Sequence, residues 1–184
     1  MDEGPRLEYE LIVRQQPKAA RMCGLGGKAD RRPIDPPPIV QLRVSEYPKN
    51  AAPGDAPTPT TSFLQNPYYF MFASLAAPDS DDELHVLKDG RTRCTTGSVV
   101  SSLYHLKDTE NGGVDAGFFV FPDLSVRTEG SYRLKLSLFE VKGTKVHHCK
   151  SIFSNPFYVY TAKKFPGMEG KFLSYFAPSP CLLL

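Results

Sequence analysis

The sequence predicts an all-β fold, an antiparallel β-sandwich of two sheets with one or two short helices. Short runs rich in β-branched and aromatic residues recur along the chain, and clusters of Gly, Pro, Asn and Asp separate them. No apolar pattern of helical period extends beyond about three turns, and the candidates for helix are short pieces near 79–88 and 168–176. The eight predicted strands are 7–14, 39–44, 68–76, 98–106, 117–121, 131–141, 145–153 and 157–162.

Alternation of apolar and polar residues is clearest in two of the predicted strands. In 7–14 (LEYELIVR) the odd positions are all apolar, while three of the four even positions are charged. In 131–141 the leucines at even positions share one face with Tyr132, whereas Arg133 and Lys135 lie on the other. This period of two residues is typical of strands with one packed face and one solvated face.

Between the first two predicted strands the chain is first basic and rich in glycine, then rich in proline. Gly24, Gly26 and Gly27 favour a loop over 15–30. The string RRPIDPPP (31–38) restricts the backbone to extended or polyproline conformations, because each proline ring fixes φ. The sequence therefore predicts a flexible loop that is followed by a stiff arm.

The chain is predicted to form one domain. Its 184 residues suit a single core, and 41% hydrophobic with 23% charged residues is typical of a folded globular chain, not of a disordered or fibrous one. We expect an N-terminal tail at 1–6, the domain over 7–170 with a Pro-rich internal loop at 45–66, and a C-terminal tail at 171–184.

Two features predict a protein that stays inside the cell and away from membranes. The chain has no run of about eighteen apolar residues, and acids stand near the N-terminus where a secretory signal would be basic and then apolar. The four cysteines are widely spaced without a CxxC pair, which favours reduced thiols over disulfides.

Positive charge is concentrated near the first predicted loop. Six bases and one acid lie between Arg14 and Arg32, a net of +5 in a chain of +2, so the rest of the chain carries −3. This asymmetry indicates a local anionic partner, although a solvated surface loop is the alternative. Guanidinium groups fork onto phosphate oxygens or guanine, and glycines let the backbone approach a duplex, so double-stranded DNA fits this segment. The six bases are Arg14, Lys18, Arg21, Lys28, Arg31 and Arg32.

The spacing of the candidate residues does not fit an enzymatic or a metal site. The glycines of 24–28 resemble a phosphate-binding loop, but Met22 stands where the first glycine belongs and Ala29 follows the lysine. Neighbours in 147–149 (His-His-Cys) point to opposite faces of a strand, and no second ligand group completes a tetrahedron. The acids of 79–83 predict a solvated turn. We therefore predict no catalytic residue, no metal, no cofactor and no enzyme.

Several long strings along the chain are distinctive. They are LIVRQQPKAARMCG (11–24), ADRRPIDPPPIVQLRV (29–44), NPYYFMFASL (66–75), GRTRCTTGSVVSSLYHLKD (90–108), GFFVFPDLSVRTEGSYRLKLSLFEV (117–141) and NPFYVYTAKKFPGM (155–168). Together they cover most of residues 7–168 in order, and DRRPIDPPP is very specific. These strings resemble the velvet domain, a family of fungal developmental regulators, and look most like its spore-viability (VosA-type) branch.

The resemblance implies an immunoglobulin-like sandwich similar to the DNA-binding domain of Rel-type factors. It also implies binding to promoter DNA, homodimers or heterodimers with other velvet proteins, a nuclear location with shuttling from the cytoplasm left open, and control of sporulation and secondary metabolism. Carried onto this chain, the DNA-contacting residues are Lys28, Arg31, Arg32, Arg21, Lys18 and Arg14.

Two of these assignments have alternatives. Arg14 could instead form a structural ion pair with Glu8 or Glu10 along the strand. Asp30 could orient a neighbouring arginine, or it could be an exposed turn acid. A second hypothesis for the whole chain is a module that associates with another velvet protein and relies on that partner for DNA contact.

The C-terminal string EGKFLSYFAPSPCLLL departs from the family, in which a short helix and a basic strand usually follow FPGM. The last four residues formally fit a prenylation box of the geranylgeranyl type. No polybasic segment precedes that box, and one lipid alone anchors weakly. An altered gene model or a splice form is the favoured explanation.

Overall fold

The computed structural model describes residues 5–25 and 32–168, and over these ranges the chain is an all-β sandwich, as predicted. Two short 3₁₀ helices, Ser62–Gln65 and Thr109–Asn111, accompany the strands. The strands are β1 (Leu7–Gln15), β2 (Ala19–Arg21), β3 (Ile39–Glu46), β4 (Thr58–Thr60), β5 (Tyr69–Ala76), β6 (Glu83–Leu84), β7 (Thr95–Gly97), β8 (Val100–Ser102), β9 (Tyr104–Asp108), β10 (Val114–Val120), β11 (Leu124–Val126), β12 (Gly130–Lys142), β13 (Lys145–Phe153) and β14 (Phe157–Tyr160).

The described strands form two large sheets and one small one. The first sheet has the order β1-β3-β10-β9, with β4 added to β3. The second has the order β2-β14-β12-β5-β6, with β13 also on β12 and β8 also on β5. A two-stranded sheet joins β11 to β7. All of these pairings are antiparallel except that of β2 with β14, which is parallel and departs from the predicted pattern.

Of the two predicted helices, the structure contradicts one and does not describe the other. The helix near 79–88 is wrong, because Glu83–Leu84 is a strand that pairs with the end of β5. The acids before it belong to a turn, where the Arg133 guanidinium donates to the carbonyl oxygen of Ser80 at 2.7 Å. The helix at 168–176 lies outside the described residues, apart from Met168. The internal loop predicted at 45–66 contains β4 and the first 3₁₀ helix.

The core lies between the two large sheets. Leu134, Leu136 and Leu138 of β12 are fully buried, as their alternation predicted, and they face apolar residues of the first sheet that include Val40 and Leu42. The opposite face of β12 is less exposed than predicted: Arg133 and Lys135 are half-buried, and the Arg133 guanidinium lies 4.4 Å from the centre of the Phe153 ring. A smaller apolar cluster on the other face of the first sheet is formed by Ile39, Ala116 and Phe118.

A polar network connects the two sheets at one side of the core. The hydroxyl groups of Tyr9 in β1 and Tyr69 in β5 lie 3.1 Å apart, and Tyr9 donates to Glu140 of β12 at 3.4 Å. The side-chain amide of Asn66 donates to the same carboxylate at 3.0 Å. Burial raises the pKa of Tyr69 to about 12 and also raises the pKa of Tyr9, so both hydroxyls stay protonated at neutral pH.

Cys23, Cys94 and Cys149 fall within the described residues, and none of the three takes part in a disulfide there. Burial raises the pKa of the Cys94 and Cys149 thiols, which disfavours the reactive thiolate. Cys181 lies outside the described residues. Within those residues, no helix has both the length and the apolar character needed to cross a bilayer.

Candidate functional site

The segment between Cys23 and Ile34, called the basic chain below, carries three of the six predicted DNA-contacting bases, and its two ends are anchored to one short strand. Where it leaves β2, the backbone N–H of Cys23 donates to the Val126 carbonyl at 3.0 Å. Where it returns, the N–H of Ile34 donates to the Leu124 carbonyl at 2.8 Å. Both partners belong to β11, so a three-residue strand fixes the separation of the two ends.

Side chains next to these backbone bonds strengthen the anchoring. The Ser125 hydroxyl donates to the carbonyl of Arg32 at 3.3 Å. The Arg127 guanidinium donates to the carbonyl of Gly24 at 2.9 Å, and the Nε of Arg127 is buried without a hydrogen-bond partner among the described atoms. Gly24 and Arg32 are therefore the anchored residues nearest to positions 26–31 on either side. Arg32 is bonded to Ser125 of β11, and Gly24 is bonded to Arg127, which directly follows β11.

The position of β11 depends on its partner strand β7. Gly97 at the end of β7 has a φ of +86°, a conformation that side chains with a Cβ rarely adopt. A Cβ at this position would lie 2.1 Å from the carbonyl oxygen of Asp123, so only glycine fits. The glycine at position 97 thus allows β7 to pair with β11, the strand that anchors the basic chain.

Part of the predicted basic loop is a strand. Residues Ala19–Arg21 pair in parallel with Tyr158–Tyr160 of β14, so the prediction of a continuous loop over 15–30 is wrong at 19–21. Lys18, just before β2, is exposed, and its backbone N–H donates to the carbonyl of Asp35 at 3.1 Å. Arg21 is the last residue of β2 and is half-buried. Lys18 therefore lies just before β2 and Arg21 at its end, and β2 is an edge strand of its sheet.

The other predicted contacts fall partly within the described residues and partly outside them. Arg32 is half-buried where the chain returns to β11. Lys28 and Arg31 lie outside the described residues, as does Asp30, so their placement stays a prediction.

Arg14 is held in a structural ion pair, but not with the partners predicted for that alternative. Its guanidinium donates to both carboxylate oxygens of Asp108 at 2.6 and 3.1 Å, and to the side-chain oxygen of Gln41 at 2.8 Å. It also pairs with Glu110 and lies 5.7 Å from the ring centre of Phe118. The predicted pairing with an acid of its own strand is wrong, because the side chain extends across the outer face of the first sheet to the end of β9.

Asp108 shows the strength of this pairing. The carboxylate is almost fully buried, and the Arg14 guanidinium holds its pKa at about 2, below the ordinary 3.8. The Asn111 amide donates to it at 2.6 Å and the backbone N–H of Glu110 at 3.2 Å. The same contact raises the pKa of Arg14. Arg14 therefore stabilises the junction of β1, β3 and β9.

Basic residues that the sequence patterns did not single out lie beside the basic chain. Arg127 bonds Gly24, and Lys163 lines a depression of about 490 Å³ between the ends of β2 and β14. Lys164 pairs with Glu129 at 3.8 Å. The signal that could have found the two lysines is a Lys-Lys pair directly after the last predicted strand. The depression is lined by Arg21, Met22, Cys23, Gly24, Thr161, Ala162 and Lys163.

No group of three or more potential metal ligands comes together among the described residues. In β13 the His148 ring bonds the hydroxyl of Ser151 at 2.7 Å, and the Cys149 thiol lies 3.7 Å from the His147 carbonyl oxygen. These side chains have ordinary strand neighbours.

Comparison with known proteins gives consistent matches along the chain. The family model described as Velvet factor matches residues 9–92 and 87–171. Spore development regulator umv1 of Mycosarcoma maydis is 52% identical over 202 residues, which cover 89% of this chain and 25% of that protein. A protein of Chaetomium globosum that is named as a velvet complex subunit is 43% identical over 171 residues, which cover 91% of this chain and 35% of that protein.

A further relative has a different regulatory name. The developmental and secondary metabolism regulator veA of Emericella nidulans is 37% identical over 193 residues, which cover 90% of this chain and 32% of that protein. The chain thus spans about a quarter to a third of the length of these three relatives.

Proposed function

Because the chain belongs to the Velvet factor family, we propose that it regulates fungal development from the nucleus by binding promoter DNA through its basic chain. The velvet resemblance read from the sequence is confirmed, and the named relatives are regulators of spore development and of secondary metabolism. The proposed role is binding without catalysis.

The observation that carries this proposal is the anchoring of both ends of the basic chain to β11. A chain segment whose ends are free loses conformational entropy when it binds a polyanion. Here the backbone bonds of Cys23 and Ile34 fix the ends before any partner arrives. Fixing these two ends in advance lowers the conformational entropy that the chain loses when it binds.

Five of the six predicted bases form the proposed contact surface. Guanidinium and ammonium groups would bind backbone phosphates, and arginines can also fork onto guanine in the major groove. Arg14 is left out of this surface and is proposed to act through stability, because its guanidinium is bonded to Asp108, Glu110 and Gln41. The proposed contacts are Lys28, Arg31, Arg32, Arg21 and Lys18.

The salt dependence of DNA binding tests the proposal. Contact with about four to six phosphates gives a slope of log K against log salt of roughly −4 to −5, and Arg31→Ala with Arg32→Ala should flatten the slope by about two. Arg43→Ala is the matched control, since Arg43 is exposed in β3 and pairs only weakly with Glu10 at 3.5 Å. An unchanged slope in the double variant would remove these arginines from the interface.

A partner-binding module is the alternative function, and the outer face of the second sheet favours it. Phe70 and Phe139 stack there with ring centres 5.4 Å apart, and both rings are half-buried. Tyr68, Val100 and Val146 are exposed apolar residues of the same sheet or the turn before it. One relative is itself named as part of a velvet complex. Such a surface suits another velvet protein, which would then supply part of the DNA contact.

Light scattering of the purified chain, with and without a second velvet protein, distinguishes the two functions. The partner hypothesis requires a larger complex in the mixture and weak DNA binding by the chain alone. A monomer that binds promoter DNA tightly by itself would reject it.

A further inference from the structure

We propose that the depression between the ends of β2 and β14 binds a DNA backbone phosphate, with Lys163 as an additional contact. The inference rests on the proposed DNA binding and extends that interface beyond the basic chain. It would make the segment after β14 a second part of one nucleic-acid surface.

The parallel pairing of β2 with β14 is the structural basis. Parallel strands end at the same edge of a sheet, so the residues that follow both strands lie side by side. Arg21 is the register partner of Tyr160, and the next N–H, that of Met22, donates to the Tyr160 carbonyl at 2.8 Å. Residues 161–163 are therefore placed against 21–24, although more than 130 positions separate them in sequence.

The residues of the depression suit an anion. Most of the lining surface is apolar, its charged residues are Arg21 and Lys163, and none of the described lining residues is acidic. Among the described residues, the nearby Glu129 pairs with Lys164 at 3.8 Å and accepts a hydrogen bond from the Tyr158 hydroxyl at 3.5 Å. A lysine ammonium is a compact charge that binds phosphate oxygens without demanding one orientation.

The volume also suits a phosphate at the surface of a duplex. About 490 Å³ is room for many water molecules, each of which takes about 30 Å³. A phosphate group can enter this space and displace part of the water while its other oxygens stay solvated. The depression begins at Gly24, an anchored residue of the basic chain, so a strand of DNA that contacts one surface passes close to the other.

Fluorescence anisotropy with a short mixed-sequence DNA duplex, measured over a series of salt concentrations, tests the inference. Lys163→Gln removes one phosphate contact, so the slope should become about 0.9 less negative and the affinity should fall about three- to tenfold near 0.15 M salt. Lys163→Arg keeps the charge and should retain the wild-type slope. Thermal unfolding of both variants should match the wild type, since Lys163 is exposed.

Lys145→Gln is the matched control, because it removes one exposed lysine at the other end of the same sheet. β12 pairs with β14 at residues 130–132 and turns into β13 after Lys142, roughly 35–40 Å further along the strand. A wild-type slope in Lys163→Gln, with salt-dependent binding intact, would overturn this inference alone. Loss of salt dependence in the wild-type chain itself would overturn the proposed function as well.

Discussion

Replacement of Arg14 by methionine should destabilise the fold by about 2–3 kcal/mol at neutral pH. Methionine keeps the length of the side chain over the Phe118 ring but removes the charge that Asp108 requires. A pKa of about 2 in place of 3.8 corresponds to roughly 2 kcal/mol in favour of the ionised carboxylate, and the Arg14 guanidinium is the largest cause of this shift. Loss of one partner from a buried pair typically costs about 3 kcal/mol or more, and the remaining bond from Asn111 softens this loss.

The effect of pH on this variant has a definite sign. The pKa of Asp108 is lowered in the folded state, so its contribution is complete above pH 3.8 and is lost as the pH falls towards about 2. Without the Arg14 guanidinium, the pKa of Asp108 moves back towards its ordinary value. The difference in stability between wild type and Arg14→Met should therefore be largest near neutral pH and shrink between about pH 4 and pH 2.

Urea unfolding followed by circular dichroism at pH 7 and at pH 3 measures both effects, and 2–3 kcal/mol corresponds to a lowering of Tm by roughly 5–10 °C for a chain of this size. Asp108→Asn is the companion variant, and the double variant should cost less than the sum of the single changes. Equal unfolding free energies for wild type and Arg14→Met at pH 7 would refute the structural role. A variant of native stability that loses DNA affinity would return Arg14 to the contact surface.

Three further variants test the residues that hold the basic chain in place and the packing of the core. Gly97→Ala should lower the free energy of unfolding by about 2 kcal/mol or more in urea. Gly143 also has a positive φ but has open space around it, so Gly143→Ala should cost only about 1–2 kcal/mol. Equal costs for the two variants would contradict the steric argument. Leu136→Ala in the core should lower the unfolding free energy by about 2–5 kcal/mol, and a smaller loss would mean that the site collapses around the missing atoms. Arg127→Met frees the carbonyl of Gly24 and should speed amide hydrogen exchange at Cys23; unchanged exchange would show that the backbone bonds suffice.

The longer strands could be predicted from the sequence because alternation over many residues reports which face is buried. The prediction of 145–153 coincides with β13, and 131–141 differs from β12 by one residue at each end. Five of the described strands were missed: β2, β4, β6, β7 and β11. Each has only two or three residues, too few for a period of two to appear, and each is decided by a partner strand elsewhere in the chain.

In the candidate site, too, some features could be predicted from the sequence and others could not. The concentration of bases could be predicted from the sequence because charge is visible without a fold. The partners of Arg14 could not, because Asp108 and Glu110 lie 94 and 96 positions away, and spacing along one strand suggested nearer acids. The proposed role of Lys163 also needed the fold, because the parallel pairing of β2 and β14 brings it beside Gly24.

Because both ends of the basic chain are anchored to β11 or the residue after it, the sandwich sets the distance between them. Since Gly24 and Arg32 are held at a fixed distance by bonds to one strand or its neighbour, a graft between them must only span that distance. Doubling the length of such a graft adds only about 0.6 kcal/mol of closure entropy. We therefore expect the sandwich to tolerate inserts of other lengths and sequences between these two residues without a change in its own sequence.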